Sequence, residues 1–396
     1  MTLELGKVAS QVAAMGANAA QRTSARAKVV PTVLGVLTRY RADHQVREMV
    51  ESAIRQGWGG AVPVTEPLDA AIDPIALPKR LTIVATDGSQ IYPDRHGIAL
   101  YYVINVGSIV LRLGSGEAPG IDATPAVCFD EEQLYGDDDY PVSGQVINAR
   151  RTVVEMTRLA QLAAEEVKSA PTVALADGNI ALRVKQEGIP AAERDRLETE
   201  YIRQLNTLRA AEIATGGFIS RPGATSVVRL AELAEQCPPD RVAEFVKNNK
   251  GRPYEGITDT PLFDALLKPG QRSAVFKLAT QWARPYEATG HAIHFFYLNI
   301  GTDLRSTVAR IEVPEWVASD PERLGLLHAA IVDQCRVTDN AYPYVLMRAD
   351  ELAVITSAEK ANFEQMVGVE LLRHGIQARP SEKAATKSIA RYGKKR

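Results

Sequence analysis

The sequence predicts an α/β fold in which a mixed sheet is flanked by helices. Strand-like apolar segments with glycine at the turns fill residues 81 to about 129. Further strand-like segments follow at 172–177, 216–220, 273–276, 291–300 and 306–313. Stretches with helical spacing of apolar residues lie at 148–167, 191–213, 320–338 and 343–373. Because strands and helices alternate along the chain, we expect the helices to cover the faces of a sheet.

The two ends of the chain differ from this central pattern. Residues 1–60 have helical spacing, with Val33, Val36 and Leu37 on one face, and they predict a helical N-terminal arm. The segment 61–80 is rich in proline and glycine and predicts a linker. Residues 81–373 are the predicted main domain, with helical insertions. Residues 374–396 form a basic tail, which is either a solubilising segment or a contact for phosphates.

The bulk composition is that of a globular protein. The 396 residues are 45% hydrophobic and 24% charged, and the formal net charge is −2, so any surface that binds a polyanion must be local. Three widely spaced cysteines without a CxxC pair indicate a reducing compartment. The N-terminus has no signal-peptide pattern and no segment has the length of a membrane span. We therefore expect a cytoplasmic protein without membrane contact.

Two carboxylates follow strand-like segments in the same way. Asp87 ends the apolar run of LTIVATDGSQ and Asp177 ends that of PTVALADGN, and glycine follows each of them. A carboxylate at the end of a buried strand is costly unless it meets a cation. The two positions together therefore predict one metal site built by neighbouring strands. Asp-Gly is also a strong hairpin turn signal, which is the alternative explanation for either residue alone.

Two further carboxylates can complete a cage of four. Glu155 lies on the predicted helix between the two strands, and Asp350 lies on a half-buried late helix. Tyr342 precedes Asp350 by eight residues, which on a helix places both within about 80° of one face, so we expect the tyrosine to touch the substrate or orient a ligand. Carboxylate oxygens favour Mn²⁺ or Mg²⁺ over zinc, and two such ions can hydrolyse a phosphodiester. The sequence therefore predicts a metal-dependent nuclease.

A nuclease with a negative net charge needs local positive charge to hold DNA, which is strongly anionic. The basic residues predicted to line its cleft are Arg150, Arg151, Arg221, Arg272, Lys277 and Arg310. No Walker A or GxGxxG sequence is present, so the chain is not expected to hydrolyse ATP through a P-loop.

These residues stand in a set of short segments that resembles the NurA nucleases of DNA double-strand-break repair. The segments follow the family's order over about residues 80–360, and they are ATDGSQ, RRTVVE, ALADGN, ISRP, LLKPGQRSAVF, VARIEVPEW and AYPYVLMRADELAVI. The resemblance implies an RNase H-like fold, with Asp87, Glu155 and Asp177 as metal ligands and Tyr342 near the active site. Many archaeal members carry histidine at the position of Asp350. This change is compatible with metal ligation but leaves no imidazole for acid–base catalysis.

The resemblance also implies an activity and partners. It implies 5′-to-3′ exonuclease and single-strand endonuclease activity with Mn²⁺ (Mg²⁺ being the alternative ion), a role in DNA end resection, a homodimer, and partnership with the HerA hexameric ATPase. Threading DNA through a dimer channel needs a ring ATPase, because this chain has no P-loop. The N-terminal arm (1–60) lies outside the resemblance and is the segment that we expect to dock the ATPase.

Two other functions compete with the nuclease. An actin- or sugar-kinase-like ATPase also begins with an aspartate–glycine strand turn, but its phosphate loops have a residue between Asp and Gly and a second glycine-rich loop, unlike this chain. A non-catalytic scaffold that regulates a partner ATPase would use the carboxylates only as turn residues. Tight ATP binding favours the first rival. Metal-dependent DNA degradation that is lost in Asp87→Ala separates the nuclease from the scaffold.

Overall fold

The computed structural model describes residues 4–136, 140–183, 188–249, 253–302, 304–338 and 341–376. The strands are β1 (Gly60–Pro63), β2 (Ala71–Ile72), β3 (Leu81–Ile91), β4 (Tyr102–Leu113), β5 (Gly120–Cys128), β6 (Thr172–Asp177), β7 (Ala214–Ile219), β8 (Arg272–Ser273), β9 (Phe276–Ala279), β10 (Ile293–Asn299) and β11 (Val308–Pro314). The helices are α1 (Leu5–Arg39), α2 (His44–Arg55), α3 (Glu131–Leu134), α4 (Gly144–Glu166), α5 (Ala191–Ala210), α6 (Ser226–Gln236), α7 (Val242–Asn248), α8 (Thr260–Leu266), α9 (Arg284–Ala288), α10 (Glu315–Ala318), α11 (Pro321–Thr338), α12 (Tyr344–Ala353) and α13 (Ser357–Arg373).

The chain divides into two compact units, which differ from the predicted arm, linker and main domain. The first unit comprises Met1–Ala76 and Gly216–Tyr342, and the second unit comprises Leu77–Thr215 and Pro343–Arg396. The predicted arm (1–60) is therefore part of a larger unit, in which α1 and α2 pack on α6.

The predicted linker (61–80) is also different in the structure, because it contains strand residues. β1 pairs with β9, and β2 pairs with β8. Proline and glycine suggested a linker, but proline is also found in edge strands, and β1 ends at Pro63. Residues 377–396, which are most of the predicted basic tail, lie outside the described part of the chain.

The second unit is built on strands in the order β5-β4-β3-β6. β3 is antiparallel to β4 over its whole length and parallel to β6 up to the pair Thr86↔Ala176. Side chains on β3 alternate between the faces of the sheet: a Cβ atom at Gly88 would contact α4, whereas Ser89 donates a hydrogen bond to α12. The predicted mixed sheet flanked by helices is confirmed.

The first unit has antiparallel strands in the order β1-β9-β10-β11-β7, with β8 beside β10. β10 and β11 are buried along their whole length, so both faces of these strands are covered. The large buried rings of this core are Phe218, Phe263, Phe276, Phe295, Phe296, Tyr286 and Tyr297. This unit therefore has its own hydrophobic core.

The long helix α1 changes environment along its 35 residues. Leu5, Val12 and Met15 are exposed, whereas Val33 and Leu37 are buried. Only the last part of α1 therefore contributes to the core of the first unit. None of the helices among the described residues is long and apolar enough to cross a lipid bilayer.

Candidate metal centre

Two carboxylates meet where the parallel pairing of β3 and β6 ends. β6 ends at Asp177, but β3 continues to Ile91, so the expectation that Asp87 ends its strand is wrong. The parallel register ends with the pair Thr86↔Ala176, so Asp87 and Asp177 are the next residues on the two strands. Equivalent positions on adjacent parallel strands lie side by side. The structure therefore brings these two predicted ligands together, and the charge of Asp177 acts on the carboxyl group of Asp87.

Glu155 reaches the same edge from α4, because the strand has a glycine opposite it. The N-terminus of α4 is capped by Ser143, whose hydroxyl accepts a hydrogen bond from the Val146 amide, and the apolar residues of the helix are buried. A Cβ atom at Gly88 would lie only 2.3 Å from Glu155 Oε1. The glycine therefore leaves room for the Glu155 carboxylate against β3.

Asp350 lies on α12, which packs on the face of the sheet opposite to α4. Gly107 of β4 is the cross-strand partner of Asp87. A Cβ atom at Gly107 would lie 2.3 Å from the Ala349 carbonyl oxygen, so the glycine allows the backbone of α12 to contact the strand. In this position the Asp350 carboxyl group is close enough to that of Asp87 to raise its pKa. We call Asp87, Glu155, Asp177 and Asp350 together the acid cluster.

The C-terminal end of α12 is fixed to the strands by two polar side chains. Asn105 Nδ2 donates to the Ala353 carbonyl oxygen at 2.8 Å, and Ser89 Oγ donates to the same oxygen. Carbonyl groups in the last turn of a helix have no partner within the helix. These hydrogen bonds therefore satisfy a helix end and fix α12 against the sheet.

The pKa of Asp87 reflects the crowding of negative charge in the acid cluster. Burial raises the pKa of Asp87 to about 6, and the charges of Asp177 and Asp350 contribute to the increase. A hydrogen bond from the Gly88 amide to Asp87 Oδ1, at 2.8 Å, acts in the opposite direction. The protonated form of Asp87 is thus favoured at the expense of the charged form.

Glu155 has a cationic neighbour, Arg151, one helical turn before it. Burial raises the pKa of Glu155 to about 7, the Arg151 guanidinium lowers it, and the charges of Asp87 and Asp177 raise it. Arg151 Nε lies 3.0 Å from Glu155 Oε1. That buried oxygen has no aligned hydrogen-bond donor among the described residues, so Glu155 can accept a further positive partner.

The donor set of the acid cluster fits a hard divalent cation. Carboxylate oxygens are the ligands of Mg²⁺ and Mn²⁺. Burial is the main cause of the raised pKa values of Asp87 and Glu155, and the charges of the neighbouring carboxylates add to it. Within the described residues, no three acidic, histidine or cysteine side chains already stand at metal-ligand positions, so ion binding requires side-chain rotation. Asp87, Glu155 and Asp177 line a cavity of about 470 Å³, which gives an ion and a substrate access to them.

A larger cavity in the second unit, of about 1010 Å³, has different chemistry. Its charged side chains include Arg150, Glu193 and Arg196. Arg150 Nε donates to Glu193 Oε1 at 2.8 Å, and Arg196 Nε donates to Glu193 Oε2 at 2.9 Å. Because these charges neutralise one another, the smaller cavity with the acid cluster is the candidate functional site.

Three of the predicted DNA contacts are structural residues. Arg272 is 7% exposed and forms two hydrogen bonds with Glu66, and Arg310 is 3% exposed and forms two with Glu312. The prediction that Arg272 and Arg310 contact DNA is therefore wrong, because their charged groups are inaccessible. Arg150 is also largely buried, and its guanidinium is held by internal acceptors.

The other three predicted DNA contacts are more accessible. Arg151 lines the cavity of the acid cluster. Arg221 is exposed, and Lys277 is partly exposed and forms an ion pair with Glu287. Their contact with DNA stays a prediction.

Tyr342 lies outside the late helix on which it was expected. α12 begins at Tyr344, after Pro343. The ring of Tyr342 packs edge-to-face on Phe218 within the first unit, with the ring centroids 5.3 Å apart. The expected helical spacing between Tyr342 and Asp350 is therefore wrong, and the role of the tyrosine stays a prediction.

Sequence reasoning missed the glycines and the ion pair that shape the site. It treated Gly88 and Gly107 as turn signals and Arg151 as a DNA contact. A glycine inside a continuous apolar strand is itself a signal of close backbone approach. The spacing of Arg151 and Glu155, four residues apart on a helix, is typical of an ion pair and could have identified this contact.

Comparison with known proteins finds remote structural likenesses. The NurA nuclease from Sulfolobus solfataricus shares 12% identity with a TM-score of 0.48, covering 85% of this chain and 93% of that chain. The catalytic domain of human endonuclease V shares 15% identity with a TM-score of 0.32, covering 82% of this chain and 98% of that chain. LC9-RNase H1, a type 1 RNase H, shares 12% identity with a TM-score of 0.21, covering 36% of this chain and 64% of that chain. No match was found among curated protein sequences.

The sequence matches one family model over a long stretch. The NurA domain model covers residues 81–355, and this range contains all four members of the acid cluster. The match extends over more than half of the chain, and so the chain belongs to the NurA domain family.

Proposed function

We propose that this chain is a metal-dependent deoxyribonuclease, a phosphodiester hydrolase that acts in DNA end resection and double-strand-break repair. The observation that carries the proposal is the convergence of four carboxylates where the parallel pairing of β3 and β6 ends, and there burial and the neighbouring charges raise the pKa of Asp87 and Glu155. Membership of the NurA domain family supports a nuclease role. The proposed activities are 5′-to-3′ exonuclease on DNA ends and endonuclease on single strands.

The acid cluster is the proposed binding site for Mn²⁺ or Mg²⁺. When bound, such ions supply an activated water and neutralise charge on the scissile phosphate. In this chain, the Gly88 amide fixes one oxygen of Asp87, and the Arg151 guanidinium lies against Glu155. These contacts hold two of the four carboxylates beside β3 before an ion is bound, and small rotations from there would bring their oxygens onto the ion.

Arg151, Arg221 and Lys277 remain the proposed contacts for DNA phosphates. The role is best supported for Arg151, because this residue lines the cavity of the acid cluster. Phosphate contacts of this kind release counterions, so DNA binding is expected to weaken with increasing salt. Tyr342 is proposed to contact DNA or to orient a ligand.

The proposed partners are a second copy of the chain and a HerA-like hexameric ATPase. The chain contains no P-loop sequence, so the energy for moving DNA must come from a partner. The exposed apolar side chains Leu5, Val12 and Met15 support the assignment of α1 as the docking segment, because an apolar helix face can bind a groove on a partner. The proposed compartment is the cytoplasm.

A nuclease assay on the purified full-length chain tests the proposed activity. Linear and single-stranded DNA are incubated with Mn²⁺, Mg²⁺ or EDTA, and degradation is expected with either ion and not with EDTA. The Asp87→Asn variant is expected to lose the activity. The matched control is Asp122→Asn. Asp122 is an exposed carboxylate on β5 that pairs with Arg158 on α4, and this variant is expected to keep the nuclease activity.

Other results of this assay contradict the proposal. Degradation that persists equally in EDTA removes the metal requirement, and full activity in Asp87→Asn removes the acid cluster from catalysis. Absence of metal-dependent degradation together with tight ATP binding favours a kinase-like ATPase. Absence of both favours a scaffold that regulates a partner ATPase.

A further inference from the structure

An aromatic side chain is fixed close to the acid cluster while much of its ring is exposed. Tyr92 directly follows β3 and is 44% exposed. Its hydroxyl donates to Asn148 Oδ1 at 2.6 Å and accepts a hydrogen bond from Gln90 Nε2 at 2.8 Å. We call Gln90, Tyr92 and Asn148 the Tyr92 shelf. The polar end of the ring is therefore anchored on α4, while the ring itself is accessible.

The start of α4 also restricts the ring of Tyr92. A Cβ atom at Gly144 would lie 3.2 Å from Tyr92 Cε1 and 3.6 Å from Cδ1, so this edge of the ring lies close to the backbone of α4. Contacts with both the hydroxyl and the ring edge limit the rotation of the side chain. A ligand that stacks on Tyr92 therefore meets a surface that is already ordered, which reduces the entropy cost of binding.

The Tyr92 shelf is connected to the acid cluster through one arginine. Arg151 Nη1 donates to Gln90 Oε1 at 3.0 Å and to the Gly88 carbonyl oxygen at 3.1 Å, while its Nε lies against Glu155. Asn148 lines the same cavity as Asp87 and Glu155. The shelf and Glu155 therefore belong to one continuous polar surface on the α4 face of β3.

The spacing along the strand suits a nucleic-acid chain. Gly88 and Tyr92 are four residues apart, which corresponds to about 13 Å in a strand. Stacked nucleotides follow one another at about 3.4 Å per strand, so this distance spans no more than about four nucleotides. A strand whose phosphate reaches the acid cluster can thus place a nearby base on Tyr92.

From this arrangement we infer that the Tyr92 shelf is a stacking subsite for an unpaired nucleobase of a single-stranded nucleic acid. The inference rests on the proposed nuclease function and names a substrate contact of that site. A base must leave its neighbours in a duplex before a side chain can stack on it, which favours single strands. The amide groups of Gln90 and Asn148 are already bonded to the tyrosine hydroxyl, so the shelf is expected to accept any base.

Fluorescence anisotropy with a labelled oligothymidine, in EDTA to prevent cleavage, measures the contribution of the ring. Tyr92→Leu is expected to weaken binding by roughly 5- to 150-fold, the size of one base–aromatic stack. Tyr92→Phe and Tyr92→Trp keep an aromatic face and are expected to stay within about threefold of wild type. The matched control is Phe129→Leu, because Phe129 is an exposed ring of the same unit and is 65% exposed.

A series of oligothymidines with one abasic position each separates stacking from a general effect on the fold. In the wild type, one or two positions of the missing base are expected to cost about as much affinity as Tyr92→Leu does. In Tyr92→Leu, the same abasic positions are expected to cost nothing further, because the partner ring is already absent. A change in the overall fold would instead lower the affinity for every oligonucleotide equally.

The outcomes distinguish this inference from the proposed function. Equal affinity of Tyr92→Leu and wild type, or equal sensitivity of both to every abasic position, overturns the stacking subsite while leaving the nuclease proposal intact. A wild type that neither binds nor cleaves nucleic acid overturns the proposed function itself. Loss of binding in Tyr92→Phe to the same extent as in Tyr92→Leu also overturns stacking, because it assigns the effect to the hydroxyl.

Discussion

The acid cluster of the second unit and a charged core of the first unit use similar side chains with different partners. The core charge cluster consists of Asp259, Tyr297, Arg310 and Glu312, all buried. Asp259 accepts hydrogen bonds from two backbone amides at the start of α6 and from the Tyr297 hydroxyl at 2.7 Å. Arg310 donates two hydrogen bonds to Glu312 and stacks on Phe295, with its guanidinium carbon 3.6 Å from the ring centroid.

The comparison shows that the partners of a carboxylate, rather than its burial, indicate its role. In the core charge cluster, burial raises the pKa of Asp259, whereas the Tyr297 hydroxyl, two backbone amides and the Arg310 guanidinium lower it, so the chain itself supplies the partners of this carboxylate. In the acid cluster, burial and then the charges of neighbouring carboxylates raise the pKa of Asp87 to about 6 and that of Glu155 to about 7. Such an arrangement costs folding free energy and is typical of a site that a cation completes.

The largest expected effect follows from removing a carboxylate of the acid cluster, and it is an effect on catalysis. Asp177→Asn is expected to lower the Mn²⁺-dependent rate of DNA cleavage at least about a hundredfold, because a metal ion contributes several kcal/mol of transition-state stabilisation. The thermal midpoint of the variant is expected to be unchanged or higher, since one repulsive charge is gone. Initial rates at equal concentrations of folded protein measure the effect. An unchanged cleavage rate would exclude Asp177 from the active site.

The second largest effect is expected on the free energy of unfolding when a member of the core charge cluster is replaced. Arg310→Met removes one member of a buried ion pair and is expected to lower the free energy of unfolding by about 3 to 5 kcal/mol. Urea unfolding followed by circular dichroism measures it. As a control, Tyr297→Phe removes only one hydrogen bond to the buried Asp259 and is expected to cost about 1 to 3 kcal/mol. Loss of nuclease activity in the folded fraction of either variant would contradict the separation of the two clusters.

A smaller effect on stability and activity is expected at Gly107, the glycine of β4 that allows α12 to contact the strand. Gly107→Ala places a Cβ atom against the Ala349 carbonyl oxygen, so α12 must shift, at an expected cost of about 1 to 3 kcal/mol in the free energy of unfolding. Because the shift moves Asp350, activity is expected to fall as well. The control is Gly35→Ala, since no atom lies near its new Cβ and alanine favours the helix by about 0.5 to 1 kcal/mol. Equal stability of the Gly107 variant and wild type would contradict the close approach.

The smallest expected effect is a pH-dependent gain in stability. The folded-state pKa of Asp87, about 6, exceeds its ordinary value of 3.8, so the folded protein binds more protons between these pH values and loses stability as the pH rises through them. Asp87→Asn removes this loss and can still accept the hydrogen bond from the Gly88 amide. Because Asp87 is partly exposed, the gain in EDTA above pH 6 is expected to be only on the order of 1 to 2 kcal/mol.

The measurement for this last effect is urea unfolding of wild type and Asp87→Asn in EDTA over a range of pH. The two free energies of unfolding are expected to differ at about pH 8 and to converge only as the pH falls below the ordinary pKa of 3.8, where the carboxyl group is protonated in both the folded and the unfolded chain. A variant that is less stable than wild type at about pH 8 would show that the ionised Asp87 stabilises the fold and would contradict this account.

The local features of the site could be predicted from the sequence, whereas its long-range partners could not. Asp87 and Asp177 follow apolar strand residues and precede glycine, and this pattern is visible within ten residues, although β3 continues past Asp87 to Ile91. Arg272 looked like a surface charge because its partner, Glu66, lies 206 positions away in the sequence. Tyr342 was assigned to a helix by spacing alone, although the proline that follows it marks the helix start. Pairing across such separations depends on tertiary structure.

The most direct test of the central claim is calorimetric titration of Mn²⁺ into the full-length chain at neutral pH. Wild type and Tyr297→Phe are expected to bind Mn²⁺ with the same affinity, and binding is expected to release protons, because the carboxyl groups of Asp87 and Glu155 are partly protonated before the ion arrives. Asp87→Asn is expected to weaken binding at least about tenfold. Equal Mn²⁺ affinity in wild type and Asp87→Asn, or no binding by the wild type up to millimolar Mn²⁺, would contradict the account of the acid cluster as a metal site.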